Sequence, residues 1–107
     1  PYDKGPRSRG NEKARFAWQV IKSYLGKNEE LVNFTYSDLQ KFESSVVAGG
    51  LSRLKTNGVI DVAKRAKNDS GKEANVYIIG QRLRPLGKDK ILNLEYGDAI
   101  SMASGRI

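Results

Sequence analysis

The sequence predicts a small α+β domain with three helices, a small antiparallel sheet and a basic hairpin. Three observations predict this fold class. Residues 44–60 have the pattern of a short amphipathic helix that ends at Asn57-Gly58 and leads directly into a strand. An apolar stripe at helical spacing precedes this segment, and two β-favouring runs enclose a polar loop after residue 58. With 107 residues, the chain is long enough to form one hydrophobic core.

Composition excludes most classes of catalytic and metal site. The sequence contains no Cys and no His, which removes zinc fingers, histidine bases and cysteine nucleophiles. It also has no phosphate-binding glycine signature and no G-x-S-x-G segment, so we expect neither an enzyme nor a cofactor. No apolar run approaches the roughly 20 residues that cross a bilayer. We therefore expect an intracellular protein without a membrane partner.

The net charge of +7 is concentrated in one part of the chain. Residues 53–90 contain ten basic and four acidic side chains, whereas residues 11–52 contain five of each. The excess begins on the third predicted helix and continues through the predicted hairpin. Such a distribution is typical of a surface that faces phosphates. A basic surface that serves only solubility is the alternative.

The two ends of the chain differ in composition from its middle. Residues 1–10 contain two prolines, two glycines and three basic side chains, which predicts a flexible basic arm. Arg7 and Arg9 are candidate minor-groove contacts of this arm, and a terminus without a ligand is the alternative. The main domain is predicted over residues 11–83. Residues 84–107 are predicted as a C-terminal extension that is partly disordered or binds a protein partner. If the chain forms a homodimer, we expect residues 91–96 to contribute.

The first two helices are predicted from capping residues and apolar spacing. Asn11 caps the first helix and Gly26 ends it, and its apolar stripe consists of Ala14, Ala17, Trp18, Ile21, Tyr24 and Leu25. We expect Trp18 to be buried. Residues 31–36 favour a short strand, and the second helix is predicted over residues 38–43 with Leu39 and Phe42 facing inward.

The third helix is predicted to begin after a cap at Ser44 or Ser45 and to bury Val47, Leu51 and Leu54. Two adjacent glycines in this helix cost about 1 kcal/mol each relative to alanine. For Gly50 we favour close packing against a neighbouring helix. Gly49 has three interpretations: close approach of DNA, tolerated weakness, or a helix that begins later.

Two strands and a loop complete the predicted domain. The first strand covers residues 59–66, with Ile60 and Val62 on one face and Asp61, Ala63 and Arg65 on the other. Residues 67–73 have the composition of a loop, and residues 74–79 form the return strand. The result is a hairpin with a basic tip.

Residues 51–60 read L-S-R-L-K-T-N-G-V-I. This segment resembles the L-x-R-L-x-x-x-G-hydrophobic-Ile pattern that ends the recognition helix of winged helix-turn-helix transcription regulators. The resemblance covers residues 11–80 in element order and residues 44–60 as a motif. It implies a recognition helix over about residues 45–56, a basic wing over about residues 64–73, and binding of double-stranded DNA by a regulator of transcription or replication.

The resemblance also implies which side chains contact DNA. Arg53 is the best candidate for reading sequence, because arginine makes a bidentate contact to guanine; a solvated residue or an ion pair with Asp61 or Glu43 is the alternative. The predicted DNA-binding residues are Ser45, Ala48, Gly49, Ser52, Arg53 and Lys55 on the helix, and Lys64, Arg65, Lys67 and Lys72 on the wing.

Two other functions remain open at this point. The same fold could serve as a protein-interaction module within a larger nucleoprotein assembly. RNA binding is less favoured, because residues 44–72 contain no aromatic side chain on which an unpaired base could stack.

Overall fold

The computed structural model describes residues 6–67 and 70–104, with side chains from residue 12 onward. The described elements are α1 (Pro6–Gly26), β1 (Phe34–Thr35), α2 (Tyr36–Phe42), α3 (Ala48–Thr56), β2 (Ile60–Lys67), β3 (Glu73–Ile79), a 3-10 turn (Arg84–Leu86), α4 (Lys88–Leu92) and α5 (Tyr96–Ala103). Within these residues the chain forms a compact α+β domain with five α-helices and one antiparallel sheet. The predicted α+β class with a small antiparallel sheet is confirmed, whereas the prediction of three helices is wrong, because it missed α4 and α5.

The sheet has three strands in the order β1-β3-β2, and both neighbouring pairs are antiparallel. β1 is shorter than the predicted run 31–36, since α2 takes residue 36 and residues 31–33 are not part of the strand. The Thr35 hydroxyl accepts a hydrogen bond from the Asp38 amide at 3.0 Å, and the Asp38 carboxylate accepts one from the Thr35 amide at 3.1 Å. This reciprocal cap places the start of α2 at Tyr36.

One hydrophobic core joins the helices to the sheet. Trp18 is fully buried, as predicted, and so are most members of the predicted α1 stripe. Tyr24 lies at the margin of the core, where its ring meets Phe34 and Phe42 edge to face. The largest fully buried side chains include Trp18, Phe34, Ile21, Leu25, Leu39, Leu51, Leu54, Ile60, Ile79, Leu83 and Ile91.

α1 begins at Pro6, five residues before the predicted start at Asn11. Proline suits the first turn of a helix, since its φ is already helical and its missing N–H would have no intrahelical acceptor there. Residues 6–10 of the predicted arm are therefore helical. Residues 1–5 and the side chains of Arg7 and Arg9 lie outside the described residues, so the arm contacts stay a prediction.

α3 begins at Ala48, and the predicted caps Ser44 and Ser45 form a turn before it. Val46 is buried, whereas the predicted core residue Val47 is 37% exposed and occupies the N-cap position in an extended conformation. Burial of Val46 sets the direction of the chain as it enters α3, and local spacing does not reveal this. The expectation that Val47 faces the core is wrong.

Gly58 ends α3 as predicted. Its φ of +81° is in the left-handed region, which glycine adopts without the steric cost that a side chain would add. The next amide, that of Val59, donates to the Leu54 carbonyl at 2.9 Å. The chain therefore reverses within residues 57–59 and enters β2 directly.

The predicted C-terminal extension packs on the same core as the rest of the domain. Ile91, Tyr96 and Ala99 are buried, and the Trp18 indole N–H donates to the Leu94 carbonyl at 2.9 Å. The Lys22 ammonium donates to the same carbonyl at 3.0 Å. Residues 105–107 lie outside the described residues. Ile91 and Tyr96 face the core, whereas Asn93 and Glu95 are exposed, and the contribution of residues 91–96 to a homodimer stays a prediction.

Candidate nucleic-acid interface

One face of α3 points to solvent and carries small side chains. At 3.6 residues per turn, the buried positions Gly50, Leu51 and Leu54 share one side of the helix. The opposite side exposes Ala48, Gly49, Ser52, Lys55 and Thr56. Five of the predicted contacts lie on α3, and four of them are on this face: Ala48, Gly49, Ser52 and Lys55. Ser45 is exposed in the preceding turn, where its amide donates to the Glu43 carboxylate at 3.2 Å.

The two adjacent glycines of α3 have different surroundings. A Cβ at Gly50 would lie 2.5 Å from the Lys13 carbonyl oxygen and 3.1 Å from the Ala17 Cβ. The predicted close packing of Gly50 against a helix is therefore confirmed. A Cβ at Gly49 would meet only the Lys13 side chain, at 3.9 Å. The interior of the domain therefore does not require glycine at position 49. The helix does begin later than predicted, at Ala48, so Gly49 lies in its first turn.

Arg53 lies beside α5, at the edge of the exposed face. It is half-buried, and its guanidinium hydrogen-bonds the hydroxyl of Tyr96. The Arg15 guanidinium lies over the ring of the same tyrosine, 5.3 Å from its centre. Arg53 therefore has a partner within the fold. A contact to DNA requires the guanidinium to share or leave this partner.

The surroundings of Tyr96 shift the pKa of its hydroxyl. Burial raises the pKa of Tyr96 above its ordinary value of 10.0, and the positive charge and hydrogen bond of Arg53, with the charge of Arg15, offset only part of this rise. Tyr24 also has a raised pKa, through burial and the nearby Asp38 carboxylate. In both residues the folded state favours the neutral phenol.

This titration predicts how stability changes in alkali. A pKa raised in the folded state means that the unfolded chain releases its proton first, so the stabilisation is complete below about pH 10 and is lost as pH rises through the folded-state pKa. We expect Tyr96→Phe to lose less free energy of unfolding than the wild type between about pH 9 and pH 11. Urea titrations at each pH measure this difference, and parallel curves for the two proteins would refute it.

The predicted wing residues lie on or beside the β2–β3 hairpin, and a β-bulge divides them between its two faces. Val62 pairs with Tyr77 but Lys64 pairs with Val76, so Ala63 is the extra residue. The bulge moves Arg65 to the face that carries Ile60 and Val62, opposite to the prediction. The alternation of side chains along a strand, as read from the sequence, does not show where a bulge exchanges the two faces.

The basic side chains of the hairpin are exposed. Arg65 lies 3.7 Å from the Glu73 carboxylate, and both side chains are more than half exposed, so this ion pair is weak. Lys67 shares the face of Arg65, whereas Lys64 is on the other face. Lys72 is exposed in the loop before β3, and residues 68–69 of that loop lie outside the described residues.

Lys41 on α2 was not among the predicted contacts. It lines a shallow groove with Ser37 and Asp38 at the start of α2, and Lys67 and Ala66 line the opposite side. The net charge of residues 11–52 is zero, because five acidic side chains balance five basic ones. Net charge along the sequence therefore gave no reason to select Lys41. Its approach to the hairpin is a property of the tertiary structure.

Residues 6–67 and 70–104 were also searched for metal-binding clusters and for membrane-spanning helices. No three His, Cys, Asp or Glu side chains in that part of the chain are placed to hold a metal ion. No helix found there is long and apolar enough to cross a bilayer. Comparisons with protein-family models, with curated protein sequences and with solved structures gave no significant match.

Proposed function

We propose that this chain is a winged-helix domain that binds double-stranded DNA, with α3 as the recognition helix and the β2–β3 hairpin as the wing. Residues 6–79 follow the order helix, strand, helix, helix, strand, strand that the resemblance implies. Residues 43–47 connect α2 and α3 and supply the turn of the helix-turn-helix pair. A regulator of transcription or replication would use this arrangement to reach its site.

One observation carries the proposal: the small exposed face of α3 is joined by only three residues to a basic hairpin. B-DNA has a major groove about 12 Å wide, which admits one α-helix. Ala48, Gly49 and Ser52 would let the α3 backbone approach base edges more closely than large side chains would. Lys64, Arg65 and Lys67 on the adjoining β2 supply charge for phosphates.

The direct test is a fluorescence-anisotropy titration with duplex DNA, single-stranded DNA and duplex RNA of equal length, repeated at several salt concentrations. We expect a preference for duplex DNA and a log–log salt slope of about −0.9 for each phosphate contacted. RNA duplexes have a narrow major groove that an α-helix does not enter, so a groove-reading helix binds them weakly. Equal weak binding to all three would contradict the proposal.

A protein-interaction module is the second candidate, and one exposed aromatic residue favours it. Phe16 on α1 is 40% exposed and lines a shallow groove with Val20 and Phe42. This groove is lined by residues of α1, by Phe42 at the end of α2 and by Glu43, and no residue of α3 contributes to it. Phe16→Ser should leave duplex-DNA affinity unchanged if α3 is the binding element.

A further inference from the structure

The backbone of Lys13 packs closely against α3 at Gly50. The position of a Cβ on Gly50 lies 2.5 Å from the Lys13 carbonyl oxygen and 2.9 Å from its carbonyl carbon. A helix backbone that approaches so closely has no room to slide toward its neighbour. The location of Lys13 relative to α3 is therefore fixed by packing, although the residue belongs to α1.

The side chain of Lys13 runs along the edge of the exposed face of α3. Its Cδ lies 3.9 Å from the position of a Cβ on Gly49, and the side chain is exposed. Gly49 and Lys55 are about 120° apart around the α3 axis, at 3.6 residues per turn, and Ala48 and Ser52 lie between them. Lys13 and Lys55 thus flank the same strip of small residues.

The other basic side chains described on α1 are directed elsewhere. Each has an aromatic ring or a carbonyl as a neighbour: Arg15 lies over Tyr96, and Lys22 donates to the Leu94 carbonyl. Lys27, in the turn after α1, lies over Phe42. Among the α1 cations with described side chains, Lys13 alone is placed at the exposed face of α3.

We propose that Lys13 contacts a DNA phosphate and that Lys13 and Lys55 hold α3 in the major groove from opposite sides. This inference rests on the proposed function. An α-helix with its side chains is about 10–12 Å across, nearly the width of the groove, so flanking lysines reach the two strands that border it. Each lysine then contacts a different strand. Together they set the depth and orientation of the helix without reading sequence.

Lys13→Gln tests the inference, with Lys90→Gln as the matched control. Lys90 is an exposed residue of α4; α4 lies near Gly26 through Leu92, about 20 Å along α1 from Lys13 at 1.5 Å per residue. In duplex-DNA titrations we expect Lys13→Gln to reduce the magnitude of the salt slope by about 0.9 and the affinity roughly 8-fold near 0.1 M salt. Lys90→Gln should change neither quantity.

The double variant Lys13→Gln/Lys55→Gln tests whether the two lysines contact separate phosphates. If they do, the slope falls by about 1.8, the sum of the two single effects. A double variant no weaker than either single variant overturns the two-sided arrangement. Thermal unfolding monitored by circular dichroism confirms that each variant is folded before binding is measured.

The controls separate failure of this inference from failure of the proposed function. If Lys55→Gln weakens binding and Lys13→Gln does not, the role of Lys13 is wrong and the proposed function stands. If Lys90→Gln weakens binding as much as Lys13→Gln, net charge explains the effect and the inference is overturned. If the wild type shows no salt-dependent binding to duplex DNA, both proposals fail.

Discussion

Exchanging Lys64 and Lys67 together for glutamine is expected to lower the affinity for duplex DNA about 60-fold near 0.1 M salt. Both side chains are exposed on β2, on opposite faces of the hairpin. A wing inserted at the DNA backbone brings each of them to a phosphate, and each lost contact removes about 0.9 from the salt slope. The slope should therefore fall by about 1.8, as measured by anisotropy titration at four or more salt concentrations.

A second double variant with the same change in net charge provides the control. Lys27 and Lys90 are exposed, on the turn after α1 and on α4, and their exchange for glutamine should alter the slope by much less. Equal losses in the two double variants would mean that the total charge of +7 attracts DNA and that the hairpin has no special role. A loss confined to the Lys64/Lys67 variant supports the wing.

The second large effect is expected from the paired glycines of α3, beginning with Gly50→Ala. The new Cβ would lie 2.5 Å from the backbone oxygen of Lys13, so α1 and α3 must separate. Overpacking of this kind costs about 1–3 kcal/mol of the free energy of unfolding, and the gain from alanine in a helix offsets about 1 kcal/mol of it at most. Urea denaturation measures the net loss. An unchanged or raised stability would mean that the helices separate at little cost.

Gly49→Ala should behave in the opposite way, and it separates stability from binding. Its Cβ would meet only the Lys13 side chain at 3.9 Å. Alanine should therefore stabilise the domain, by less than the roughly 0.5–1 kcal/mol that glycine costs in a helix interior, because Gly49 lies in the first turn of α3. If α3 approaches DNA closely at this position, the same methyl group should weaken duplex binding severalfold. A variant that is more stable and binds equally well would show that Gly49 is a tolerated weakness.

Parts of this fold follow from local properties of the sequence. The apolar stripe of α1 predicts the burial of Trp18 because helical periodicity brings those positions to one side. Asn57-Gly58 predicts the end of α3 because a left-handed residue is needed there, and Gly58 has it. The hairpin follows from two β-favouring runs around a polar loop.

Other parts depend on contacts that local patterns do not contain. The choice between Val46 and Val47 as the core residue is made by the packing of the turn against distant elements, since the two are adjacent and equally apolar. The bulge at Ala63 reverses the face of Arg65 because the partner strand supplies one residue fewer. Residues 84–107 are predicted as a C-terminal extension, but Ile91 and Tyr96 bury their side chains in the hydrophobic core.

In the candidate interface, too, some features follow from the local sequence and others depend on tertiary contacts. Small and basic residue types at helical spacing predict an exposed face on α3, and Ala48, Gly49, Ser52 and Lys55 lie there. The hydrogen bond from Arg53 to Tyr96 joins residues 43 positions apart, so helical spacing alone leaves the direction of Arg53 open. Lys41 and Lys13 come near the basic elements only through packing between helices and sheet.

The sequence by itself determined the α+β class, the apolar side of α1, the end of α3 and the basic hairpin, because each depends on residues within one or two turns or strands. Only the tertiary structure decided where α3 begins, which face of the hairpin carries Arg65, how Arg53 is engaged and that Lys13 lies beside Gly49. The physical reason is that these features are set by close packing between segments far apart in the chain, where a few ångströms of approach determine which side chains face solvent.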